Sequence, residues 1–294
     1  MLCVVQENNL EKRAVANKVA TALSKKMGNA SEWGIDMTDS YEMFKKKVYE
    51  ITKIDLNAYK ERQMKRRIDS LISKHNITSY ATYVDTLKKD KALFDEFVNY
   101  LTINVSEFYR NPEQWRIMES DIFPMLLEKT PTLKIWSAAC STGDEPYSLA
   151  MLLSKFLPLN RIKIIATDID KQVLDAARMG LYNEKSLKGL PQEFLKKYFK
   201  KVNDKSYQIN DEIKRCVEFK QHNLLKDPYP TNCDMIVCRN VLIYFTEEAK
   251  EEVYRKFNAS LKQSGILFVG STEQIIQPQT LGYSTYKSFF YKKS

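Results

Sequence analysis

Two features of the chain have the residue types and the spacing of a nucleotide-type binding site. Gly143 lies in a turn between a strand-like and a helix-like run, and Asp168 follows 25 residues later, at the end of the next strand-like run. In a doubly wound sheet the carboxyl ends of neighbouring strands form the ligand crevice, where an acid can accept hydrogen bonds from both hydroxyls of a ribose. The pattern predicts a ribose-bearing ligand. The alternative is that Asp168 only caps the helix that follows Asp170.

Several other chemistries are disfavoured by what the sequence lacks. The turn holds one glycine rather than the three of a dinucleotide fingerprint, and there is no GxxxxGK[ST] loop for nucleoside triphosphates. The five cysteines form no CxxC pair, and the two histidines, His75 and His222, lie far apart in sequence. We therefore expect no metal site, no disulfide framework and no hydrolase triad.

The elements that would position this site alternate between strands and helices in the manner of a parallel sheet with helices on both faces. Apolar runs predict strands at residues 132–139, 161–167, 217–221, 235–238, 266–269 and 287–291, and capped runs predict helices at 146–156, 171–179 and 246–261. The short, basic and polar section at 198–217 predicts a small antiparallel β insertion. The second part of the chain is thus an α/β domain.

The first part of the chain predicts consecutive helices without strand-like alternation. These helices are expected at residues 41–51, 56–75, 77–88, 91–103 and 112–129. In the second of them an apolar stripe that includes Met64 and Ile68 falls on one side, whereas Arg62 and Arg66 fall on the other. Residues 59–74 hold six bases and two acids, the densest basic segment of the chain. This face is either a solvated charged surface or a docking surface for an acidic partner.

Size and composition are those of a folded globular protein. The chain has 294 residues, 44% hydrophobic and 28% charged, which favours one large or two ordinary domains. The net charge of +9 favours an acidic partner but does not establish nucleic-acid binding. We expect a cytoplasmic protein, because there is no secretory signal and no run of the roughly 18 apolar residues that a membrane helix needs. Residues 1–36 resemble an extension of unknown role, and Met37 is a candidate for the true start.

Five motifs, taken in order, make the sequence recognisable. They are LTINVSEFYRN, the turn CSTGDEPYS, the strand end ATDID, and the segments HNLL and CRNVLIYF. Over roughly residue 37 to the C-terminus the chain resembles the chemotaxis receptor glutamate methyltransferases of the CheR type. The resemblance implies a class I S-adenosylmethionine-dependent methyltransferase, in which a Rossmann-like doubly wound sheet with an antiparallel last strand follows an all-helical domain. The expected domains are residues 37–110 and 111–294, the latter with the β subdomain at about 198–217.

The activity that the resemblance implies is methyl transfer from S-adenosylmethionine to glutamate side chains of membrane-embedded chemoreceptors, for adaptation in bacterial chemotaxis. The products would be glutamate 5-O-methyl esters and S-adenosylhomocysteine, and no metal would take part. The expected partner is the helical cytoplasmic region of the receptors. We expect a monomer that binds no nucleic acid and does not insert into the membrane.

The resemblance also assigns the residues that contact the cofactor. They are Asn104, Ser106, Arg110, Glu145, Asp168, Asn223, Leu224, Arg239 and Asn240. The side-chain chemistry agrees, because Asp168 suits the ribose hydroxyls, Asn223 an adenine edge and Glu145 the cationic amino group of the methionine moiety. The family usually has threonine where Ser106 stands, and the hydroxyl is retained.

The reaction needs few protein groups. A glutamate carboxylate has a reference pKa of about 4.3 and is ionised near neutral pH, so no general base is required. The protein must align the reacting atoms and exclude water. We expect Arg110 and Tyr244 to position the substrate carboxylate, since both can donate to an oxygen; alternatively, Tyr244 is a core aromatic residue with a satisfied hydroxyl.

Two further expectations concern recognition. Complementary charge would dock the glutamate-rich receptor helices on the basic face of Arg62, Arg66 and Arg67. Some family members carry glycines in the inserted hairpin, which binds a tether peptide at the receptor's C-terminus, but FKKVNDKSYQIND has none. We therefore expect recognition that does not depend on a tether.

Two other functions remain alternatives. The net charge and the run Asp227-Pro228-Tyr229-Pro230 favour an RNA or other nucleic-acid methyltransferase. The catalytic box of such enzymes should, however, follow the strand at 235–238, where this chain has Arg239-Asn240-Val241, so the run at 227–230 is better explained as a turn. A non-catalytic, cofactor-sensing scaffold is disfavoured because every matched position is chemically intact.

Overall fold

The computed structural model describes residues 40–294, so the predictions for residues 1–36 and for Met37 lie outside the described residues. This part of the chain forms a helical domain followed by an α/β domain. None of the helices in residues 40–294 combines the length and the apolar character needed to cross a bilayer.

The helical domain packs its helices around one apolar core. They are α1 (Tyr41–Thr52), α2 (Glu61–Lys74), α3 (Tyr80–Lys89) and α4 (Lys91–Thr102). The side chains of Ser40, Ser79 and Asp90 cap α1, α3 and α4 by accepting hydrogen bonds from backbone N–H groups of their first turns. The predicted apolar stripe of α2, including Met64 and Ile68, is buried in this core. Arg62 and Arg66 are exposed, as the pattern predicts.

The helix predicted at residues 56–75 is interrupted before α2. A single 3-10 turn (Leu56–Ala58) comes first, and α2 begins only at Glu61. Between them Tyr59 is extended (φ −103°, ψ 153°) and forms an antiparallel bridge with Phe245 of the second domain. Pairing with a segment so distant in sequence leaves no local signal.

The helix predicted at residues 112–129 is a continuous helix with a π-helical turn in its middle. It consists of α5 (Pro112–Ile117), a π-helical turn (Met118–Ile122) and α6 (Phe123–Leu127). Pro124 has no backbone N–H, so the regular hydrogen-bond ladder cannot continue through it, and a π turn is one way to accommodate this loss.

Strands and helices alternate through the α/β domain. In the described chain its strands are β1 (Lys134–Ser137), β2 (Lys163–Asp168), β3 (Leu181–Asn183), β4 (Phe199–Asn203), β5 (Ser206–Ile209), β6 (Val217–Gln221), β7 (Cys233–Cys238), β8 (Leu261–Val269), β9 (Tyr283–Lys287) and β10 (Phe290–Lys293). Its helices are α7 (Asp144–Leu153), α8 (Lys171–Met179), α9 (Gln192–Tyr198), α10 (Asp211–Lys214) and α11 (Glu247–Ser260).

The main sheet has the strand order β6-β2-β1-β7-β8-β10-β9. The first five strands in this order are parallel, and β10 is antiparallel to both of its neighbours, β8 and β9. Alternate side chains of a strand lie on opposite faces of the sheet and pack in different hydrophobic clusters. Ile135 and Val237 pack in one cluster, and Trp136 and Ile236 pack in the other. Both faces of the sheet are therefore buried, which confirms the predicted doubly wound sheet with an antiparallel last strand.

The prediction of a single last strand at residues 287–291 is wrong in detail. The chain turns at Ser288 and Phe289, and the flanking segments form the separate strands β9 and β10. Phe289 adopts a left-handed backbone (φ 69°), which is unfavourable for a bulky residue and gave no turn signal in the sequence.

The small insertion is an antiparallel sheet in the order β3-β5-β4. The predicted range of 198–217 contains β4 and β5, but the sheet begins earlier, with β3, and residues after 209 belong to α10 and the start of β6. Phe108 anchors this sheet to the rest of the protein, since its ring packs edge-to-face on Tyr182 at 4.7 Å and on Phe199 at 5.4 Å between ring centroids.

Candidate functional site

A cleft of about 840 Å³ lies where the carboxyl ends of β1, β2 and β7 meet. This is the point at which the chain switches from building one side of the sheet to building the other, the usual ligand crevice of such folds. A smaller pocket adjoins the cleft, and the two share Val105, Ala139, Ser141, Arg239 and Asn240 as lining residues.

The helical domain forms part of the cleft wall. Its contact with the catalytic domain, here called the domain bridge, pairs residues 58–60 with residues 244–246. Lys60 N donates to Tyr244 O at 2.9 Å, and Thr246 N donates to Ala58 O at 2.8 Å. Tyr59, at the centre of the bridge, lines the cleft. A ligand in the cleft would therefore lie between the two domains.

The turn after β1 brings backbone close to the cleft. Ser141 (φ 46°) and Gly143 (φ 89°) are left-handed, and α7 begins directly afterwards. A Cβ on Gly143 would lie 2.9 Å from Ala177 Cβ, so both conformation and space require glycine here. Ser141 N donates to Asp168 Oδ2 at 2.8 Å, which ties the turn to the end of β2.

Asp168 is buried at the cleft with a carboxylate held by backbone groups. Its second oxygen accepts a hydrogen bond from Asp170 N at 3.0 Å. Burial raises the pKa of Asp168 to about 6, although these backbone donors oppose the rise. The cap of α8 is Asp170, whose Oδ1 accepts from Gln172 N at 2.8 Å, so Asp168 is not the helix cap that the alternative interpretation required.

Arg239 is a buried link between the sheet and the segment that joins the domains. Its Nη2 donates to Arg110 O and Asn111 Oδ1, both at 2.9 Å, and to Gln114 Oε1 at 3.0 Å. Its Nη1 lies 3.5 Å from Glu145 Oε2. Burial lowers the pKa of the guanidinium, and Glu145 opposes this shift. The guanidinium thus orders the wall of the adjoining pocket.

Glu145 lies on that wall, at the start of α7. Its Oε1 accepts from Ser137 Oγ at 2.8 Å. Burial raises the pKa of Glu145, whereas Arg239 lowers it. A carboxyl group in this setting suits a cationic amino group of a ligand, whose charge would favour the ionised form.

The junction segment, residues 103–111, runs along both cavities. Asn104 Nδ2 donates to Asp170 Oδ2 at 2.9 Å, which fixes the start of the segment beside the first turn of α8. Ser106 and Arg110 line the adjoining pocket. The Arg110 carbonyl also accepts from Trp115 Nε1 at 2.9 Å, so the backbone at Arg110 is held from two sides.

The segment after β6 carries Asn223 and Leu224. Asn223 Oδ1 accepts from Leu225 N at 2.9 Å, and its Nδ2 donates to Lys53 O at 3.3 Å across the domain contact. Asp227 Oδ2 accepts from Asn223 N at 2.8 Å and closes a turn at residues 224–226, so the predicted turn at 227–230 lies a few residues earlier. Residues 228–230 are irregular chain before β7 and do not replace the segment after that strand.

All the predicted cofactor residues therefore surround the two connected cavities. Asn104, Asp168, Asn223, Leu224, Arg239 and Asn240 line the cleft, as does Tyr244, and Ser106, Arg110 and Glu145 line the adjoining pocket. Arg62, Arg66 and Arg67 do not line either. Arg67 differs from the other two: its Nη2 donates to Tyr100 O at 2.7 Å and its guanidinium stacks on the Tyr100 ring.

Sequence reasoning missed three residues of the site. Tyr59 reaches the cleft only through the domain bridge, for which the sequence has no signal. Ser141 lies in the recognised turn, beside Gly143, but was not assigned a role. Glu273 accepts backbone hydrogen bonds from the loop that carries Asn240 and Tyr244, a contact between distant segments for which the sequence has no local signal.

The polar atoms of the cleft fit S-adenosylmethionine, the ligand that the resemblance implies. Ser141 Oγ and Asn240 Oδ1 are buried and have no hydrogen-bond partner in the described structure. Buried polar atoms are normally satisfied, so these two fit a polar ligand. Together with the carboxylates of Asp168 and Glu145, they offer acceptors for ribose hydroxyls and for an amino group.

Comparison with known proteins agrees with this site. The all-alpha domain of the CheR methyltransferases matches residues 39–102, and the S-adenosylmethionine-binding domain of the same family matches residues 104–289. A chemotaxis protein methyltransferase of Listeria innocua is 42% identical over 260 residues, which cover 88% of this chain and 99% of that protein. Those of Borreliella burgdorferi and Escherichia coli are 34% and 33% identical, over 82% and 77% of this chain and 90% and 81% of their own lengths.

Proposed function

The chain belongs to the CheR family of S-adenosylmethionine-dependent methyltransferases, and from this premise we propose that it methylates glutamate side chains of chemoreceptors. The products are glutamate 5-O-methyl esters and S-adenosylhomocysteine, and the substrate is the helical cytoplasmic region of the receptors. The enzyme acts as a monomer in the cytoplasm, without a metal and without nucleic acid.

The observation that carries this proposal is the pair of connected cavities with different polar walls. In the cleft, the polar side chains of Asp168, Ser141 and Asn240 would bind the ribose end of a ligand. Arg110 and Glu145 provide opposite charges in the adjoining pocket, which suits the amino-acid end of the same ligand and a carboxylate beside it.

The protein's task in this reaction is placement. Bound S-adenosylmethionine supplies an electrophilic methyl group on a good leaving group, and the substrate glutamate is already ionised near pH 7. The Arg110 guanidinium and the Tyr244 hydroxyl would bind and orient the substrate carboxylate for attack on this methyl group. His222 also borders the cleft, where burial lowers its pKa, but the reaction needs no base because the substrate carboxylate is already ionised.

The test is methyl transfer from radiolabelled S-adenosylmethionine to receptor-containing membranes, followed by treatment with base. Release of labelled methanol is the expected result, because carboxyl methyl esters are base-labile. Base-stable label on copurifying RNA would instead support the nucleic-acid alternative, and cofactor binding without transfer would support a sensor.

Receptors that lack their C-terminal residues should be methylated equally well, since the turn between β4 and β5 has none of the glycines associated with tether binding.

Replacing Tyr244 with phenylalanine should lower kcat about tenfold or more while the Kd for S-adenosylhomocysteine changes less than threefold. The hydroxyl is assigned to the substrate carboxylate, and a hydrogen bond to a charged group contributes about 1.5–3 kcal/mol. Steady-state kinetics and calorimetry measure the two quantities. Tyr49→Phe, at another domain contact, is the matched control. An unchanged kcat would remove Tyr244 from the mechanism.

Arg62 and Arg66 form the proposed docking face for the receptor. Both are exposed on the first turns of α2, which starts one residue after the domain bridge. Their charge thus lies close to the entrance of the cleft. Arg67 is excluded from this face because its guanidinium is engaged by Tyr100.

Reversing both charges, Arg62→Glu with Arg66→Glu, should raise the KM for receptor membranes roughly tenfold at low salt and much less at high salt. The thermal midpoint should stay within a few degrees, since both side chains are exposed. Lys88→Glu with Lys89→Glu on α3 changes net charge by the same amount and should leave KM unaltered. Equal KM values for the two double variants would contradict the docking face.

A further inference from the structure

Glu273 is a buried acid whose carboxylate accepts backbone hydrogen bonds from four residues. Oε2 accepts from Asn240 N at 2.5 Å and Gly270 N at 2.9 Å. Oε1 accepts from Leu242 N at 2.7 Å and Ile243 N at 3.2 Å. The residue is 6% exposed. Three of these four donors belong to the loop that follows β7.

The loop itself has no acceptors for these backbone N–H groups. Asn240 is left-handed (φ 60°), and a 3-10 turn (Leu242–Tyr244) begins two residues later. The first N–H groups of a helical turn have no partner within it. Glu273 therefore caps this turn from another element and fixes the loop backbone from Asn240 to Ile243, directly before Tyr244.

The acceptor must be a carboxylate. Only an ionised carboxyl group offers acceptor sites on both oxygens and no donor to oppose the surrounding N–H groups. Burial raises the pKa of Glu273, and these N–H groups oppose that rise. A Cβ on Gly270 would lie 2.5 Å from Glu273 Oε2 and 2.9 Å from Asn240 N, so the cradle has room for the carboxylate and little more.

The loop that Glu273 holds carries two residues of the proposed mechanism. Asn240 lies at its start and Tyr244 at its end, and both line the cleft. We propose that Glu273 is a positioning residue for methyl transfer, which sets the Tyr244 hydroxyl through the backbone of residues 240–244. This inference rests on the proposed function, because it requires Tyr244 to act on the substrate.

The first test is Glu273→Gln, which keeps the size of the side chain but turns one oxygen into a donor that faces N–H groups. We expect kcat for receptor methylation to fall at least tenfold, with a smaller effect on the KM for receptor. Tyr254→Phe is the control, because the Tyr254 hydroxyl donates only to the Glu273 main-chain carbonyl, at 3.4 Å. Its kcat should stay within twofold of the parent protein.

A double-mutant comparison separates positioning from general damage. If Glu273 acts through Tyr244, then Glu273→Gln in a Tyr244→Phe background should lower kcat threefold or less, since the group that it positions is already absent. A merely structural defect would lower kcat by the same factor in both backgrounds.

Hydrogen exchange provides a readout that does not depend on activity. In Glu273→Gln, amides of residues 240–244 should exchange at least tenfold faster, whereas those of β8 and α11 should be unchanged. If this variant does not fold, Gly270→Ala disturbs the same cradle from the opposite side and should give the same pattern in exchange and kcat.

Three results would overturn the proposal: an unchanged kcat in a folded Glu273→Gln protein, fully multiplicative losses in the double variant, or uniform acceleration of exchange across the domain. An inert Tyr244→Phe substitution would also overturn it, through the loss of Tyr244 from the mechanism. Failure of the proposed function looks different, because the parent protein itself would then form no base-labile ester on receptors.

Discussion

Replacing Asp168 with alanine should weaken the binding of S-adenosylhomocysteine about 100-fold or more. The carboxylate is the only acidic group on the described cleft wall with both oxygens fixed by backbone donors, and it would accept from two ribose hydroxyls. Two hydrogen bonds to a charged group contribute about 1.5–3 kcal/mol each, and 1.4 kcal/mol is a factor of ten. Calorimetric titration measures the change. Asp175→Asn, on the exposed face of α8, is the control and should bind within twofold of the parent.

The same residue gives the binding a defined pH dependence. Burial raises the pKa of Asp168 to about 6, so lowering the pH from 7 to 5 should protonate the free carboxyl and weaken ligand binding. The folding stability of the ligand-free protein changes with pH in the opposite direction. Because the pKa of Asp168 is higher in the folded than in the unfolded chain, its protonation stabilises the fold below about pH 4, and this stabilisation is lost as the pH rises to about 6. The substitution Asp168→Asn should abolish the part of the affinity change between pH 7 and pH 5 that comes from this carboxyl group. A Kd for Asp168→Ala within threefold of the parent would refute the ribose assignment.

Replacing Arg239 with methionine should lower the free energy of unfolding by about 3 kcal/mol or more. The substitution keeps an apolar stem but removes the charged partner of Glu145 and one donor from each of three oxygen acceptors. Removing one partner of a buried charged pair typically costs about 3–5 kcal/mol. Urea unfolding followed by tryptophan fluorescence measures the loss.

Arg239→Lys distinguishes charge from geometry in the same experiment. Lysine keeps the positive charge near Glu145 but cannot reach Arg110 O, Asn111 Oδ1 and Gln114 Oε1 from one planar group. An intermediate loss of stability is therefore expected. If Arg239→Met lost less than about 1 kcal/mol, the guanidinium would not be the link between the sheet and the junction segment.

Local patterns predicted those parts of the fold that local interactions determine. The helix at 171–179 was predicted at its actual bounds, because Asp170 caps its start and the left-handed Gly180 ends it. The strand at 217–221 was also predicted at its bounds. Both faces of the sheet are buried, so most of its strands were recognisable as apolar runs, and the residues assigned to the cofactor by the motifs line the two cavities at the carboxyl edge of the sheet.

What the sequence did not reveal depends on contacts between distant segments. Tyr59 interrupts a good helical pattern because its backbone pairs with Phe245. The role of Glu273 depends on donors about 30 residues earlier in the chain, which no local pattern indicates. Arg67 carries the same charge as Arg66, yet packing against Tyr100 on α4 removes it from the exposed face.

The domain bridge makes cofactor binding and receptor binding thermodynamically interdependent. Tyr59 of the helical domain and Asp168 of the α/β domain line the same cleft, so a ligand bound between them would stabilise the association of the two domains. A receptor helix docked at Arg62 and held at Tyr244 would favour the same association. Because such coupling is reciprocal, each ligand then increases the affinity for the other by an equal factor. The enzyme would then load its two substrates cooperatively through contacts within a single chain.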